Sequence, residues 1–213
     1  MKLRDLGKPV IFTGAQKPMA EMRTDAIDNV QGSLVIAGTV IIPEVCVFFN
    51  RTLFRGNRVC KYDTEDYNAF RYDSYHITHI SLSTILRSFN MEPLVKMGTK
   101  ININWDAVWR SSEARKFSVT NGWNPNVALL RLFPCITATT VRSFLQPPVR
   151  GVVLCSYGAG NGPDNRADII KEIKLASSRG VIIVNISQCQ SGSVSAAYEA
   201  GAVLEEAGVI QGL

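Results

Sequence analysis

The sequence comprises 213 residues, of which 46% are hydrophobic and 19% are charged. This profile is typical of a globular protein with one large domain or two small ones, and it excludes an intrinsically disordered chain. The net charge is +5. Because lysine and arginine are scattered along the chain rather than gathered in one stripe, we expect no nucleic-acid partner.

The cysteines and the termini indicate the compartment. The five cysteines are odd in number and form no C-x-x-C pair, which favours a reducing environment over a disulfide framework or a zinc site. The N-terminus carries charges where a signal peptide needs an apolar core, and no apolar run approaches the ~20 residues that span a bilayer. We therefore expect a cytoplasmic protein without a membrane partner.

The first half of the chain alternates short apolar runs with turns. "KPVIF" predicts a buried strand ending in the tight turn "TGAQKP", and residues 24–41 predict a helix with Thr24 as its N-cap. "PEVCVFFN" and "RTLFRGN" predict two strands joined by a polar turn. Residues 71–86 follow the period of neither a strand nor a helix. The polar stretch 111–126 is the best candidate for a linker.

The last third has a cleaner pattern. "VALLRLFP", "GVVLCSY" and "GVIIVNIS" predict strands, and three helical segments alternate with them. Strands that are apolar throughout and alternate with helices indicate a parallel sheet covered on both faces. Ligands of such sheets bind at the carboxyl ends of the strands. This rule selects the turn after "VIF", the loop after "VVLCSY" and the loop after "VIIVNIS" as candidate ligand edges.

Several motifs admit two interpretations from the residues alone. "YGAGNGP" is either a flexible loop or a pocket wall in which Asn161 presents its amide to a ligand. "TGAQKP" is either an ordinary turn or a place where the backbone approaches a ligand closely. His76 and His79 form an H-x-x-H pair, but a zinc site needs a third ligand and the chain has no further histidine. No Ser–His–Asp arrangement with a nucleophile elbow is present.

The densest basic cluster, "FRGNRVCKYD", also admits several interpretations. Arg55, Arg58 and Lys61 could form a solvated hairpin tip, clamp a phosphate, or frame one functional lysine. A lysine in a half-buried pocket can take part in proton transfer, because burial and nearby cations lower its pKa. The residues alone do not choose among these interpretations.

Taken together, the segments resemble the L-asparaginase family, in particular its type I cytosolic branch, which includes animal members of the asparaginase/lysophospholipase type. The resemblance runs in family order over nearly the whole chain. It rests on "KPVIFTGAQKP", "TDAIDNVQGSLVIAG", "IPEVCVFFNRTLFRGNRVCKYD", "KININWDAV", "LLRLFP", "FLQPPVRGVVLCSYGAGNGP" and "VIIVNISQCQSGSV". A lysophospholipase activity is not indicated, since the chain shows no serine elbow and no lipid-binding amphipathic helix.

The resemblance implies an amidohydrolase that converts L-asparagine to L-aspartate and ammonia through a threonine acyl-enzyme. A Thr–Asp–Lys group and backbone oxyanion donors assist this chemistry, and no metal or organic cofactor is needed. Lys61 falls at the position of the family lysine. Ala15 falls where a backbone group faces the substrate, and Asn161 falls where an asparagine reaches the active site of a neighbouring subunit.

The resemblance also implies an architecture: three α/β/α layers with mainly parallel sheets. We expect a partial N-terminal domain over residues 1–112, a linker over 113–126 and a smaller flavodoxin-like domain over 127–213. The implied assembly is a homodimer or homotetramer.

The chain departs from the family pattern in informative ways. Neither the "TGGTI"-type nor the "HGTDT"-type motif, which carry the two threonines and the aspartate, occurs in the sequence. We therefore expect an N-terminally truncated, inactive chain with an insertion near 71–86, or a non-catalytic isoform that associates with a full-length homologue. Cys60 and Cys155 replace a threonine and an arginine that bind a second, allosteric asparagine in bacterial members, so we expect carboxylate recognition there to be weakened.

Overall fold

The structure is a computed structural model that describes residues 2–61, 69–72, 85–88, 90–110, 115–163, 165–195 and 199–212. The chain divides into two compact units, Met1–Gly122 and Trp123–Leu213, and each is taken here by itself. The α/β class is confirmed, but the sheets predicted to be mainly parallel are mixed in the first unit and all-parallel only in the second. Most of the predicted insertion, residues 73–84, lies outside the described residues. None of the described helices has the length and apolarity needed to cross a membrane.

The first unit is built on a mixed five-stranded sheet with the order β2-β3-β4-β8-β9. Only β2 and β3 run parallel; the other neighbouring pairs are antiparallel. Its strands are β2 (Val10–Phe12), β3 (Val45–Phe49), β4 (Thr52–Arg55), β8 (Val95–Met97) and β9 (Ile101–Ile103). The predicted strand, turn and second strand around "VCVFFNRTLF" are confirmed as a hairpin. Asn50 and Arg51 at its tip both have left-handed φ values, as a two-residue type I′ turn requires.

Five short strands complete the first unit. β1 (Lys2–Arg4) pairs antiparallel with β10 (Ser118–Thr120), which lies inside the predicted linker. A three-stranded sheet has the order β5-β7-β6 and contains β5 (Cys60–Lys61), β6 (Ala69–Tyr72) and β7 (Ile85–Ser88).

The predicted first helix is found as α1 (Ala26–Thr39), and it packs closely on the five-stranded sheet. At Gly32, a Cβ atom would lie 2.4 Å from Cζ of the fully buried Phe48, so only glycine allows the helix to come this near. Ile36 completes the contact and shares a core cluster with residues from β3, β4 and β8. At Gly38, in the last turn of the same helix, the space is open.

The second unit has a four-stranded, all-parallel sheet in the sequential order β11-β12-β13-β14. The strands are β11 (Val127–Arg131), β12 (Gly151–Ser156), β13 (Ile182–Ser187) and β14 (Ile210–Gln211), and they alternate with α2 (Ala138–Phe144), α3 (Ala167–Ser178) and α4 (Glu199–Glu206). Thr137 caps α2 by accepting a hydrogen bond from the Thr140 amide at 3.1 Å. The predicted βα alternation is thereby confirmed.

All three helices of the second unit pack on one face of its sheet. Their buried side chains form a single cluster with alternate residues of β11, β12 and β13. The residues on the opposite face are apolar as well: Leu129 is 63% exposed, Ile182 60% and Ile210 56%. On the packed side, Arg142 Nη2 donates to Glu172 Oε1 at 2.6 Å, and this hydrogen bond lowers the pKa of Glu172.

Candidate active site

The loop that follows β2 carries Ala15 and is held in place by the start of α1. The amides of Gln16 and Lys17 donate to Asp25 Oδ1 at 2.9 and 3.2 Å. Asn29 Nδ2 donates to the carbonyl of Gly14 at 3.0 Å. The N-cap residue of α1 is Asp25 rather than the predicted Thr24. Thr24 Oγ1 accepts from the Ala26 amide at 3.1 Å, and the Asp25 carboxylate makes no capping hydrogen bond and binds the loop. The turn "TGAQKP" is therefore a fixed structure.

Asn29 joins this loop to the neighbouring hairpin. Its side chain is almost fully buried, and its Oδ1 accepts from the Asn50 amide at 2.9 Å. Its Nδ2 donates to Asp25 Oδ2 at 2.9 Å as well as to the loop. Both connected segments follow the carboxyl ends of parallel strands, β2 and β3, which is the edge where ligands of such sheets bind.

The structure brings Lys61 to the same loop. Lys61 lies on β5, and its Nζ donates to Gln16 Oε1 at 2.8 Å. Ala15, the neighbour of Gln16, is exposed. Two of the three predicted site residues, Lys61 and Ala15, therefore lie at the same loop of the first unit. Asn161 belongs to the second unit.

The remaining members of the basic cluster have other surroundings. The Arg55 guanidinium binds the buried carboxylate of Glu44 through Nε and Nη2, and Nη2 also donates to the Ala107 carbonyl at 2.7 Å. Glu44 Oε1 in turn accepts from the Trp109 amide at 2.6 Å. Arg55 thus ties three segments of the chain together. Arg58 is exposed at the end of a short 3₁₀ turn.

Asn161 closes the Gly-rich loop at the carboxyl end of β12. Its amide donates to the Tyr157 carbonyl at 2.7 Å, and the Tyr157 amide donates back to the Asn161 carbonyl at 3.0 Å. Its side-chain Oδ1 is buried and accepts no hydrogen bond from any residue that the structure describes. A buried carbonyl oxygen left in this state favours a ligand that brings an N–H or O–H donor.

The cysteines do not form a site. Cys60, Cys135 and Cys189 are exposed, and burial raises the pKa of the half-buried Cys155. Within the described part of the chain, no three His, Cys, Asp or Glu side chains lie close enough together to hold a metal ion. His76 and His79 lie outside the described residues.

Comparison with known proteins supplies the family. The family model "Asparaginase, N-terminal" matches residues 1–85, and the model "Glutaminase/Asparaginase C-terminal domain" matches residues 126–213. The chain belongs to the asparaginase family. The match of an N-terminal and a C-terminal model in this order agrees with the two-unit architecture of family members.

Several asparaginase relatives show similarity along nearly the whole chain. It is 43% identical to L-asparaginase of Dirofilaria immitis over 99% of this chain and 33% of that protein. It is 40% identical to the 60 kDa lysophospholipase of Homo sapiens, covering 99% and 34%, and 37% identical to L-asparaginase 1 of Escherichia coli K12, covering 99% and 57%. The chain thus spans about a third to somewhat over half of these relatives.

A solved asparaginase has the same fold. The structure of L-asparaginase I from Vibrio cholerae superposes with a TM-score of 0.80 at 33% identity, over 98% of this chain and 57% of that one. The mixed sheet of the first unit and the parallel sheet of the second are therefore the asparaginase fold.

The sequence did not reveal three residues around Ala15: Gln16 in the loop itself, and Asp25 and Asn29 at the start of α1, which hold the loop. A signal was present for two of them. Asp25 and Asn29 are four residues apart at the start of α1, so they lie on one helix face. Asn29 is also 1% exposed, on the buried face of α1 that includes Ala26, Gly32 and Ile36.

Proposed function

We propose that this chain supplies the lysine-bearing part of an asparaginase active site, in an amidohydrolase that converts L-asparagine to L-aspartate and ammonia. The observation that carries the proposal is the hydrogen bond from Lys61 Nζ to Gln16 Oε1, made at the carboxyl ends of two parallel strands. Membership of the asparaginase family supports the amide-hydrolysis chemistry.

Each predicted residue has a role in this proposal. A threonine hydroxyl attacks the side-chain amide carbon of asparagine, ammonia leaves, and water hydrolyses the resulting ester. Lys61 assists proton transfer to and from the reacting oxygen. The backbone at Ala15 contacts the substrate. Asn161 reaches the active site of a neighbouring subunit and supplies a further contact through its Oδ1, which has no hydrogen-bond partner among the described residues. No metal or organic cofactor takes part.

The threonine is the missing group. The 213 residues contain neither the "TGGTI"-type nor the "HGTDT"-type motif. We propose that the chain by itself has no asparaginase activity, because both motifs that carry the catalytic threonines are absent from these 213 residues. The proposal also includes a cytoplasmic location and a homodimeric or homotetrameric assembly. It divides the chain into an N-terminal domain, a linker and a C-terminal domain at residues 1–112, 113–126 and 127–213.

Ammonia release from L-asparagine tests it. We expect none from the purified chain, and release that disappears in Lys61→Ala would overturn the proposal of inactivity. A complementation assay tests the role of the lysine: the chain is co-expressed with the N-terminal region of an asparaginase relative that carries both threonine motifs. We expect activity to depend on Lys61 and to survive Lys100→Ala, a matched change at an exposed lysine of the same unit. Equal activity in both variants would contradict the role of Lys61.

The second candidate function is a non-catalytic subunit that associates with a full-length homologue. The apolar sheet face of the second unit favours it, since large exposed apolar surfaces mark interaction sites. Co-expression with a full-length asparaginase should then give a stable hetero-oligomer on size exclusion. Consistent elution of the two chains as separate peaks would remove this candidate.

A further inference from the structure

Two polar side chains interrupt the apolar inner face of β13. Along this strand, Ile183, Asn185 and Ser187 occupy alternate positions and therefore point to the same side of the sheet. Ile183 packs in the apolar core, whereas Asn185 is fully buried near the carboxyl end of the strand. A fully buried amide needs specific partners, because an unpaired polar group in the interior is destabilising.

Asn185 finds its partners on both neighbouring strands and on the Gly-rich loop. Its Oδ1 accepts from Ser156 Oγ on β12 at 2.6 Å. Its Nδ2 donates to the Gly160 carbonyl at 2.9 Å and to Gln211 Oε1 on β14 at 3.3 Å. The side chain therefore joins three strands and one loop at a single point.

The Gly-rich loop is held through three successive carbonyls. Ser187 Oγ donates to Gly158, the Ser195 amide donates to Ala159 at 2.9 Å, and Asn185 Nδ2 donates to Gly160. Gly160 has a φ of 105°, and a Cβ atom there would lie 2.3 Å from Val194. A different backbone path for this loop would break these hydrogen bonds, and a side chain at Gly160 would clash with Val194.

We infer that Asn185 and Ser187 are positioning residues for Asn161. Asn161 directly follows the three held carbonyls, and its Oδ1 is buried without a partner among the described residues. The two β13 side chains fix the backbone from which that oxygen projects, so the loop presents an acceptor already oriented toward a ligand. The inference rests on the proposed function only for the identity of that ligand, an amino-acid amide.

A structural role alone would predict something different. If Asn185 served only to pair hydrogen-bonding groups in the protein interior, its replacement would lower stability without a specific effect on the loop. Ser156 offers the matched comparison, because its hydroxyl belongs to the same buried network but contacts no carbonyl of the loop. Ser187 offers a milder second variant, because it is only partly buried and contacts Gly158 from the same strand.

Nuclear magnetic resonance of the ¹⁵N-labelled 213-residue chain tests the inference. In Asn185→Ala and in Ser187→Ala, we expect the Asn161 amide to exchange with solvent about five- to tenfold faster, the factor expected for loss of one hydrogen bond. The side-chain amide signals of Asn161 should shift as well. Ser156→Ala should lower the melting temperature while leaving the Asn161 signals in place.

Two results would overturn the inference: unchanged Asn161 exchange and signals in both β13 variants, or the same change in Ser156→Ala. If Asn185→Ala does not fold, Ser187→Ala decides by the same criteria. Titration with L-asparagine of the assembly formed with the N-terminal region of an asparaginase relative separates this inference from the proposed function. If the 213-residue chain shows the loop response but that assembly binds no asparagine, the positioning role is supported and the proposed ligand is contradicted.

Discussion

The pair formed by Glu44 and Arg55 allows a strong test of how the first unit is held together. Glu44 is 7% exposed, and its carboxylate accepts hydrogen bonds from the Arg55 guanidinium and from the Trp109 amide. Glu44→Gln keeps the size of the side chain but removes the charge and one acceptor. Removal of one partner of a buried ion pair costs about 3–5 kcal/mol, because the other charge is left uncompensated. This is a large part of the roughly 5–15 kcal/mol that stabilises a typical domain.

Urea unfolding followed by tryptophan fluorescence measures this effect in the first unit. Trp105 and Trp109 lie in that unit, whereas Trp123 begins the second. A Trp123→Phe background therefore restricts the signal to the unit that contains the mutation. We expect Glu44→Gln to lower the free energy of unfolding by about 3–5 kcal/mol at an unchanged slope with urea.

An exposed pair in the same unit serves as the control. Arg51 Nη2 lies 3.9 Å from Asp28 Oδ2, and the side chains of Asp28 and Arg51 are 71% and 70% exposed. Asp28→Asn should change the free energy of unfolding by less than about 1 kcal/mol, as is usual for exposed ion pairs. The reasoning is refuted if Glu44→Gln lowers the free energy of unfolding by no more than Asp28→Asn does.

Four further predictions follow from packing, thiol burial, ionisation and exposed surface. Gly32→Ala should destabilise the first unit by about 1–3 kcal/mol through overpacking, whereas Gly38→Ala in the same helix should stabilise it by roughly 0.5–1 kcal/mol; urea unfolding of both measures the contrast. Burial raises the pKa of Cys46 to about 12, so a thiol reagent at neutral pH should modify the three exposed cysteines and reach Cys46 only after unfolding. The hydrogen bond from Arg142 lowers the pKa of Glu172 in the folded state, so the ionised side chain stabilises the protein above the ordinary glutamate pKa of about 4.3. This stabilisation is lost as the pH falls. The melting temperature should therefore drop less in Glu172→Gln than in the wild type between about pH 5 and about pH 3. Leu129→Lys should reduce self-association of the chain in light scattering, and a monodisperse wild-type monomer with one cooperative thermal transition would contradict this expectation.

The sequence predicted the elements whose pattern is local. β12, α3 and β13 were found where apolar runs and helical periodicity placed them, because each is long and begins and ends at a clear turn. Even there, periodicity was imperfect. Leu175 of α3 is apolar, yet it is 45% exposed, since it follows the buried Ile173 by only two residues and therefore lies on another face of the helix.

The candidate site was predictable only in part, because its hydrogen bonds join distant segments. Lys61 reaches Gln16 across 45 residues, and Asn29 reaches Asn50 across 21. No periodicity reports such contacts. The role of Arg55 was left open for the same reason, since its partner Glu44 lies just before β3 rather than within the basic cluster.

The strand order of the second unit explains why its helices leave apolar side chains uncovered on one face of the sheet. Strands added one after another in the same direction, through right-handed connections, place every crossover helix on the same face of the sheet. The register aligns Leu129, Val153, Val184 and Ile210 in one row across the opposite face. Parallel sheets are ordinarily covered on both sides, and this row is as apolar as the covered one. The composition of these strands therefore favours a second covering layer in addition to α2, α3 and α4. The second proposed function places a full-length homologue on this face, and the association experiment with that homologue tests it.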